Sequence, residues 1–255
     1  MRSVSVTGKV DDHMIAVIER FQRQTLRQDN PDGRIDPGGA TLRALMPATL
    51  RAAVQSPAKL TEGELEVAAA TLHCELAAVK AVAEVETKAG AFLPSGRPTI
   101  LFERHYFHRL TGGVYAAKHP TISNAARSGP GQYGGREYQY QRLYEAMACD
   151  RNAALQSASW GRFQIMGANF KEAGFASVED FVNKMWESEG QQLAAFVKFV
   201  QHSGVLLKAL QNKDWATFAK HYNGPGYKRD GYDTKLKEAY DKYAAPVASR
   251  CLMRY

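Results

Sequence analysis

The stretch AVAEVETKAGAF, residues 81–92, decides how the rest of the chain is read. Ala81, Val82, Ala83 and Val85 form an apolar helix end that stops on a carboxylate, Glu86, and is followed at once by small residues and an aromatic. A glutamate so placed stands at a helix C-terminus and faces a cleft. Two effects oppose its ionisation there: burial against apolar groups, and the negative end of the helix dipole. Holding it protonated near neutral pH requires a pKa raised by roughly 2–3 units from about 4.3, or about 3–4 kcal/mol of differential environment. Taken alone, the segment also reads, more simply, as a helix end carrying two solvated acids, Glu84 and Glu86.

Upstream, Thr61 and Glu64 make a capping box, and Leu65, Ala69, Leu72, Leu76, Val79 and Val82 recur at spacings of three and four. The pattern predicts one long amphipathic helix, or two with a break near His73, ending after Glu86 with Gly90 as the stop. Downstream, Gly112 to Gly135 is rich in Gly, Ser, Asn and Tyr and predicts loop or weak strand. Residues 176–245 return to helical periodicity through Phe181, Met185, Leu193, Phe196, Val197 and Val200. Ahead of all this, Val10, Met14, Val17, Ile18, Phe21 and Leu26 lie near helical spacing, and turn residues then lead to a second short helix. Pro47 to Pro57 closes this small unit, because proline disfavours helix at its own position and the one before. The expected division is a module over 1–58 and a larger, mostly helical domain with an irregular centre over 59–255.

A composition of 45% hydrophobic and 23% charged residues is that of an ordinary globular protein. The net charge of +7 implies attraction to polyanions: nucleic acid, anionic lipid or a carboxylate-rich cell wall. Lys and Arg are scattered and no nucleic-acid motif is present, so nucleic acid is not the expected partner. Cys74, Cys149 and Cys251 are odd in number and widely spaced, with neither a disulfide framework nor a CxxC metal site. No segment approaches the roughly 18 apolar residues of a membrane span, and MRSVSVTGKVDDH has no apolar core of signal-peptide length. Synthesis in a reducing cytoplasm, no stable membrane insertion and delivery by an outside agent are the expectations.

A second segment, ASWGRFQIM at 158–166, packs Ser, Gly and Gln between aromatics, a mixture too polar for core and too apolar for a free loop. With HYNGPGY at 221–227 and the helix ending in Glu86, it resembles the lysozyme superfamily in its goose-type and soluble transglycosylase branch. TILFERHYFHR at 99–109 narrows the resemblance to the phage N-acetylmuramidase family, over about residues 60–245. The resemblance implies a mainly α, α+β lysozyme-like fold without cofactor or metal. It also implies hydrolysis of the β-1,4 bond between N-acetylmuramic acid and N-acetylglucosamine in bacterial peptidoglycan. Carried over by motif, Glu86 is the general acid, Ser159 and Gln164 line the sugar groove, and Tyr222 and Asn223 flank it. Thr87 stands where these enzymes commonly have Ser, which keeps the hydroxyl. IERFQRQTLRQDNPDGRIDPGGATLRAL at 18–45 resembles a peptidoglycan-binding module in its Phe-Gln helix and Asp-Gly-x-Ile-Asp turn, in a shortened copy.

Glycosidases often set a second carboxylate opposite the acid. Glu103 is the first candidate by sequence, with Asp150 and Glu137 behind it, although Arg104, His105 and Arg109 make Glu103 equally a member of a structural ion-pair network. Some branches of the superfamily work with one Glu. His105 and His108 lack a third metal ligand in sequence and read as structural. Trp160, Phe163 and Tyr222 read as either core or sugar platform. The expectation is a monomeric phage endolysin that cleaves the wall glycan after a membrane pore opens. A lytic transglycosylase, which forms anhydro ends, and a non-catalytic wall-binding or tail-structural protein are the alternatives.

Overall fold

The computed structural model describes residues 12–35, 40–45, 57–86, 90–94, 96–127 and 134–245. The chain divides into two compact units, one of residues 1–57 and 94–97, the other of 58–93 and 98–255. Thr87, Cys251 and the Glu137 side chain lie outside the described residues.

The first unit is organised by one buried amide. Helix α1, Asp12–Thr25, presents Gln22, which is 1% exposed, and a short helix α2 follows at Ala40–Leu45. Gln22 Nε2 donates to Asp32 Oδ1 at 2.6 Å, Arg34 O at 2.9 Å and Thr41 Oγ1 at 3.0 Å, while its Oε1 accepts from the Gly33 amide at 2.9 Å. The turn at Gly33 needs glycine twice over. Its φ is +66°, and a Cβ there would meet Ile15 Cγ2 at 2.6 Å.

The second unit is helical around a small sheet. The Thr61–Glu64 capping box opens α3, Glu62–Leu72, and His73 takes a left-handed conformation at φ 50° that closes it. Helix α4, Leu76–Val85, then restarts in a new direction, so the run of apolar repeats is two helices broken at His73. Ala78, Val79, Ala81, Val82, Ala83 and Val85 are all buried, which leaves α4 enclosed on most of its circumference. Strand β1, Ile100–Phe102, precedes α5, Arg104–Leu110. Turns follow to residue 122, and α6, Arg136–Cys149, and α7, Arg151–Gln156, lead into β2, Ala158–Trp160, and β3, Ile165–Met166. The remaining helices are α8, Val178–Glu187, α9, Glu189–His202, α10, Gly204–Asn212, α11, Trp215–Tyr222, and α12, Tyr232–Ala244.

The sheet runs β1-β2-β3, antiparallel, with Leu101 opposite Ser159 and Ser159 opposite Met166. Its strands therefore lie in 100–102 and 158–166, whereas the described part of 112–135 carries turns, bends and irregular loop. The physical reason is burial on both faces. Ala158, Ser159 and Trp160 are all buried, so the period-two alternation that marks a half-exposed strand is absent. Helix α12 packs along α4, α9 packs on α3, and the phenyl rings of Phe102, Phe107, Phe181, Phe196 and Phe218 fill the core completely enclosed. Among the described residues no single helix is long and apolar enough to cross a membrane.

Candidate active site

Glu86 is the C-cap of α4, with helical φ −74° and ψ −15°. The buried helix delivers its carboxyl into apolar surroundings, and burial raises its pKa from 4.5 to about 7. One interaction works against that rise: Asn223 Nδ2 donates to Glu86 Oε1 at 3.0 Å. The carboxyl thus keeps a large share of its proton up to about pH 7, with one oxygen oriented by the Asn223 amide. Two tyrosines feel its charge. Burial pushes the Tyr222 hydroxyl well above the usual tyrosine range and Glu86 adds to the shift, while Tyr232 is raised by burial, by Glu86 and by Asp230.

Asn223 is placed by the end of α11, whose start is fixed by Asp214 accepting from the Thr217 amide at 3.0 Å. Its own amide donates back to Ala219 O at 2.8 Å, and its side-chain Oδ1 is buried with no hydrogen-bond partner among the described residues. The preceding Tyr222 packs its ring on Phe218, stacked at 5.4 Å, and edge-on against Phe196 and Phe199. Its hydroxyl donates to Phe163 O at 2.6 Å. Phe163 is itself 1% exposed and stacks on Phe196 at 4.6 Å, and Trp160 is buried with Nε1 donating to Leu155 O. Of the three aromatics whose role the sequence left open, Trp160 and Phe163 are core residues, and Tyr222 is partly buried and packs against the core.

Ser159 and Gln164 are brought together across the β2–β3 turn. Ser159 Oγ donates to Gln164 Oε1 at 2.8 Å, and Gln164 Nε2 donates to Gly161 O at 2.7 Å and Thr99 O at 3.2 Å. Gly161 and Gln164 both carry positive φ, +69° and +48°. Gly161 has no room for a Cβ, which would lie 2.5 Å from the Gln192 side chain. The glutamine amide closes this strained turn from within, so the Ser-x-Gly-x-x-Gln pattern is a turn lock whose product is the position of the Phe163 carbonyl. A continuous run of contacts follows: Thr99 to Gln164, the turn to Tyr222, Asn223 to Glu86.

Glu103 is the N-cap of α5, with no side-chain cap bond. Its Oε2 lies 3.3 Å from His105 Nδ1. Burial lowers the His105 pKa, and Arg127, Arg109 and Arg104 lower it further, so the histidine is neutral at pH 7 and the contact is not a full ion pair. Glu103 also exerts its charge on the buried Arg142, whose guanidinium lies 5.0 Å over the Phe102 ring. Asp150 caps α7 by accepting from the Ala153 amide at 2.9 Å. His108 Nδ1 is 3.3 Å from Ser123 Oγ. Tyr232 escaped the sequence reading, and nothing in the Gly-Tyr-Asp context of residues 231–233 marks it. Only the fold brings the start of α12 into range of Glu86.

The N-acetylmuramidase family matches residues 75–244, two thirds of the chain. The chain belongs to this family. The matched span opens at Glu75, the N-cap of α4, and closes at Ala244, the last residue of α12, so it contains Glu86 together with Tyr222, Asn223 and Tyr232. The muramidase is also similar to a solved structure, the crystal structure of the Burkholderia AP3 phage endolysin. The TM-score is 0.69 and the identity 40%, over 92% of this chain and 90% of that one. No curated protein matches. This muramidase is a glycoside hydrolase of the lysozyme-like type, and its substrate is the glycan of peptidoglycan.

Proposed function

We propose that Glu86 is the general acid that cuts the β-1,4 bond after N-acetylmuramic acid, and that the chain serves a phage as an endolysin. The observation that carries the reading is the Glu86 carboxyl itself, protonated up to about pH 7 by burial and oriented by Asn223. In the proposed cycle Glu86 gives its proton to the glycosidic oxygen as the C1–O bond breaks and positive charge spreads over C1 and the ring oxygen. Water then adds to C1 and returns a proton to Glu86, closing the balance with a reducing muramic end. Asn223 keeps its donor on the carboxylate that forms in between, which stabilises the charged state at the moment it is needed. Ser159, Gln164 and Tyr222 act through position, by fixing the turn and the helix end that frame the groove. Glu103 belongs to the basic cluster around His105 and Arg142, which leaves Glu86 to serve as both acid and base.

The module over 1–58 attaches the enzyme to wall, a reading supported by the Gln22-centred turn at Asp32 and Gly33 and by the sequence pattern around it. Similarity to a phage endolysin supports action on the wall; synthesis in the host cytoplasm, access once the membrane is opened and a monomeric state complete the proposal. Mass spectrometry of digested peptidoglycan tests the chemistry. Reducing muramic ends are expected from the parent protein and none from Glu86→Gln. Anhydro ends reassign it as a transglycosylase, and intact glycan with free stem peptides removes the assignment.

A further inference from the structure

A second cleft of about 510 Å³ opens beside α4, between the segment 59–62, the turn at Arg162 and the end of α12 at Tyr243. It approaches the catalytic acid from two directions. Ala83 lines it and precedes Glu86 by three residues on the same helix face, a Cβ separation of about 5–6 Å. Arg162 also lines it and immediately precedes Phe163, whose carbonyl holds Tyr222.

The charges in this cleft are unevenly committed. Glu62 is paired with Lys80, Glu84 with Lys242 and the Tyr243 hydroxyl, and Glu189 with Arg162 and the Leu60 amide. All three carboxylates are therefore engaged. Lys59 is exposed and has no ion-pair partner among the described residues, and the buried Arg162 Nε–H has no acceptor. One cation, Lys59, is thus left over beside the Arg162–Glu189 pair, and Leu60, Leu65 and the Tyr243 ring supply apolar wall next to it. A ligand that fits carries a carboxylate on a short, partly aliphatic arm.

We propose that this cleft receives the peptide branch of the substrate, with a branch carboxylate drawn to Lys59 at the Arg162 edge and its aliphatic carbons against Leu60, Leu65 and Tyr243. The inference rests on the muramidase reading above, because in peptidoglycan the peptide hangs from the lactyl ether of muramic acid, the sugar whose C1 Glu86 is proposed to serve. A branch leaving that sugar has about one helical turn to cross before it meets the cleft. The enzyme then reads peptide-bearing glycan as well as sugar, and bare glycan is the poorer substrate.

The test compares kcat/KM on soluble glycan chains that keep their peptides with the same chains stripped by an amidase, for the parent protein and Lys59→Glu. The expected result is a preference of about fivefold for the peptide-bearing chains in the parent, an exposed charge pair's share. That preference should fade in 1 M salt and collapse toward unity in Lys59→Glu. Lys59 is exposed, so the variant folds, and an unchanged melting temperature checks it. Equal kcat/KM on the two substrates in the parent, or a preference that survives both Lys59→Glu and salt, overturns the proposal. A parent protein that cuts neither substrate instead overturns the muramidase reading on which it rests.

Discussion

Glu84 and Glu86 leave the same helix end two residues apart and titrate in opposite directions. Burial of Glu84 is outweighed by hydrogen bonds from Lys242 and Tyr243 and by the Lys242 charge, so its carboxyl falls below the usual range. Among the described residues Glu86 is met by the Asn223 amide and by no cation, and burial lifts it to about 7. About half a turn of helix thus separates a carboxylate held as a charged strut from a carboxyl that keeps its proton to about pH 7. The difference is made by α12, which brings Lys242 and the Tyr243 hydroxyl to the first, and by the end of α11, which brings the uncharged Asn223 amide to the second.

Glu86→Gln keeps the shape of the side chain and an acceptor for Asn223 but has no proton to give. Turnover on purified wall should drop by roughly 10²–10⁴. In the parent, a general acid with a pKa of about 7 makes kcat/KM fall about tenfold per pH unit above neutrality. A pH–rate profile that stays flat from pH 6 to 9 contradicts the role.

The same shift has a stability consequence of opposite sign for the variant. A folded-state pKa above the ordinary 4.5 means that the folded protein retains a proton the unfolded chain releases, so stability is lost as pH rises from about 4.5 to 7. The loss amounts to about 3 kcal/mol. Glu86→Gln is therefore expected to melt higher than the parent at pH 8 and close to it at pH 4.5. Calorimetry at the two pH values reads this directly, and a variant less stable at pH 8 refutes it.

Asn223→Leu removes a hydrogen bond that lowers the Glu86 pKa while roughly preserving side-chain volume. The alkaline limb of the pH–rate profile should move upward and the maximal rate should fall about tenfold as the carboxyl loses its fixed orientation. A limb that moves downward shows that water, not apolar surface, replaces the amide.

Tyr222→Phe leaves the ring among Phe196, Phe199 and Phe218 and deletes only the bond to Phe163 O. The expected cost is about 1–3 kcal/mol in a denaturant titration, because a buried carbonyl loses its donor. The accompanying loss should fall on kcat, with KM held. A raised KM at constant kcat makes Tyr222 a sugar-binding residue instead.

Glu103→Gln should lower the melting temperature and reduce activity only in part, since the carboxylate offsets the charges of Arg142 and its arginine neighbours. A stable, inactive Glu103→Gln assigns it a share of the chemistry. Melting and initial rate are measured on the same preparation.

The fold was legible in sequence wherever a helix keeps one face wet. The α3 capping box and the apolar runs of α8 and α9 are periodic because water and core alternate around them. The sheet was not legible, since β2 is buried on both faces and β3 has two residues, too short for any period. Glu86 could be found from an apolar helix that stops on an acid. Its environment could not, because Asn223 lies 137 residues away and Tyr232 farther still. Ser159 and Gln164 were visible as a pattern, but their bonding to each other and to Thr99 depends on a turn with two positive φ angles that residue types alone do not announce.

Helix α4 is enclosed chiefly by α12, through Leu236 and Ala239 in the core and through Tyr240 to Glu75 and Lys242 to Glu84 at the rim. A nascent chain still lacking residues 232–244 has Glu86 but not the helix that covers most of α4, and a wet Glu86 ionises like any other carboxylate. The catalyst is consequently silent on the ribosome until nearly all of its muramidase span has been translated. A premature stop anywhere before α12 should yield a null protein even though every group in contact with the acid up to Asn223 has already been made.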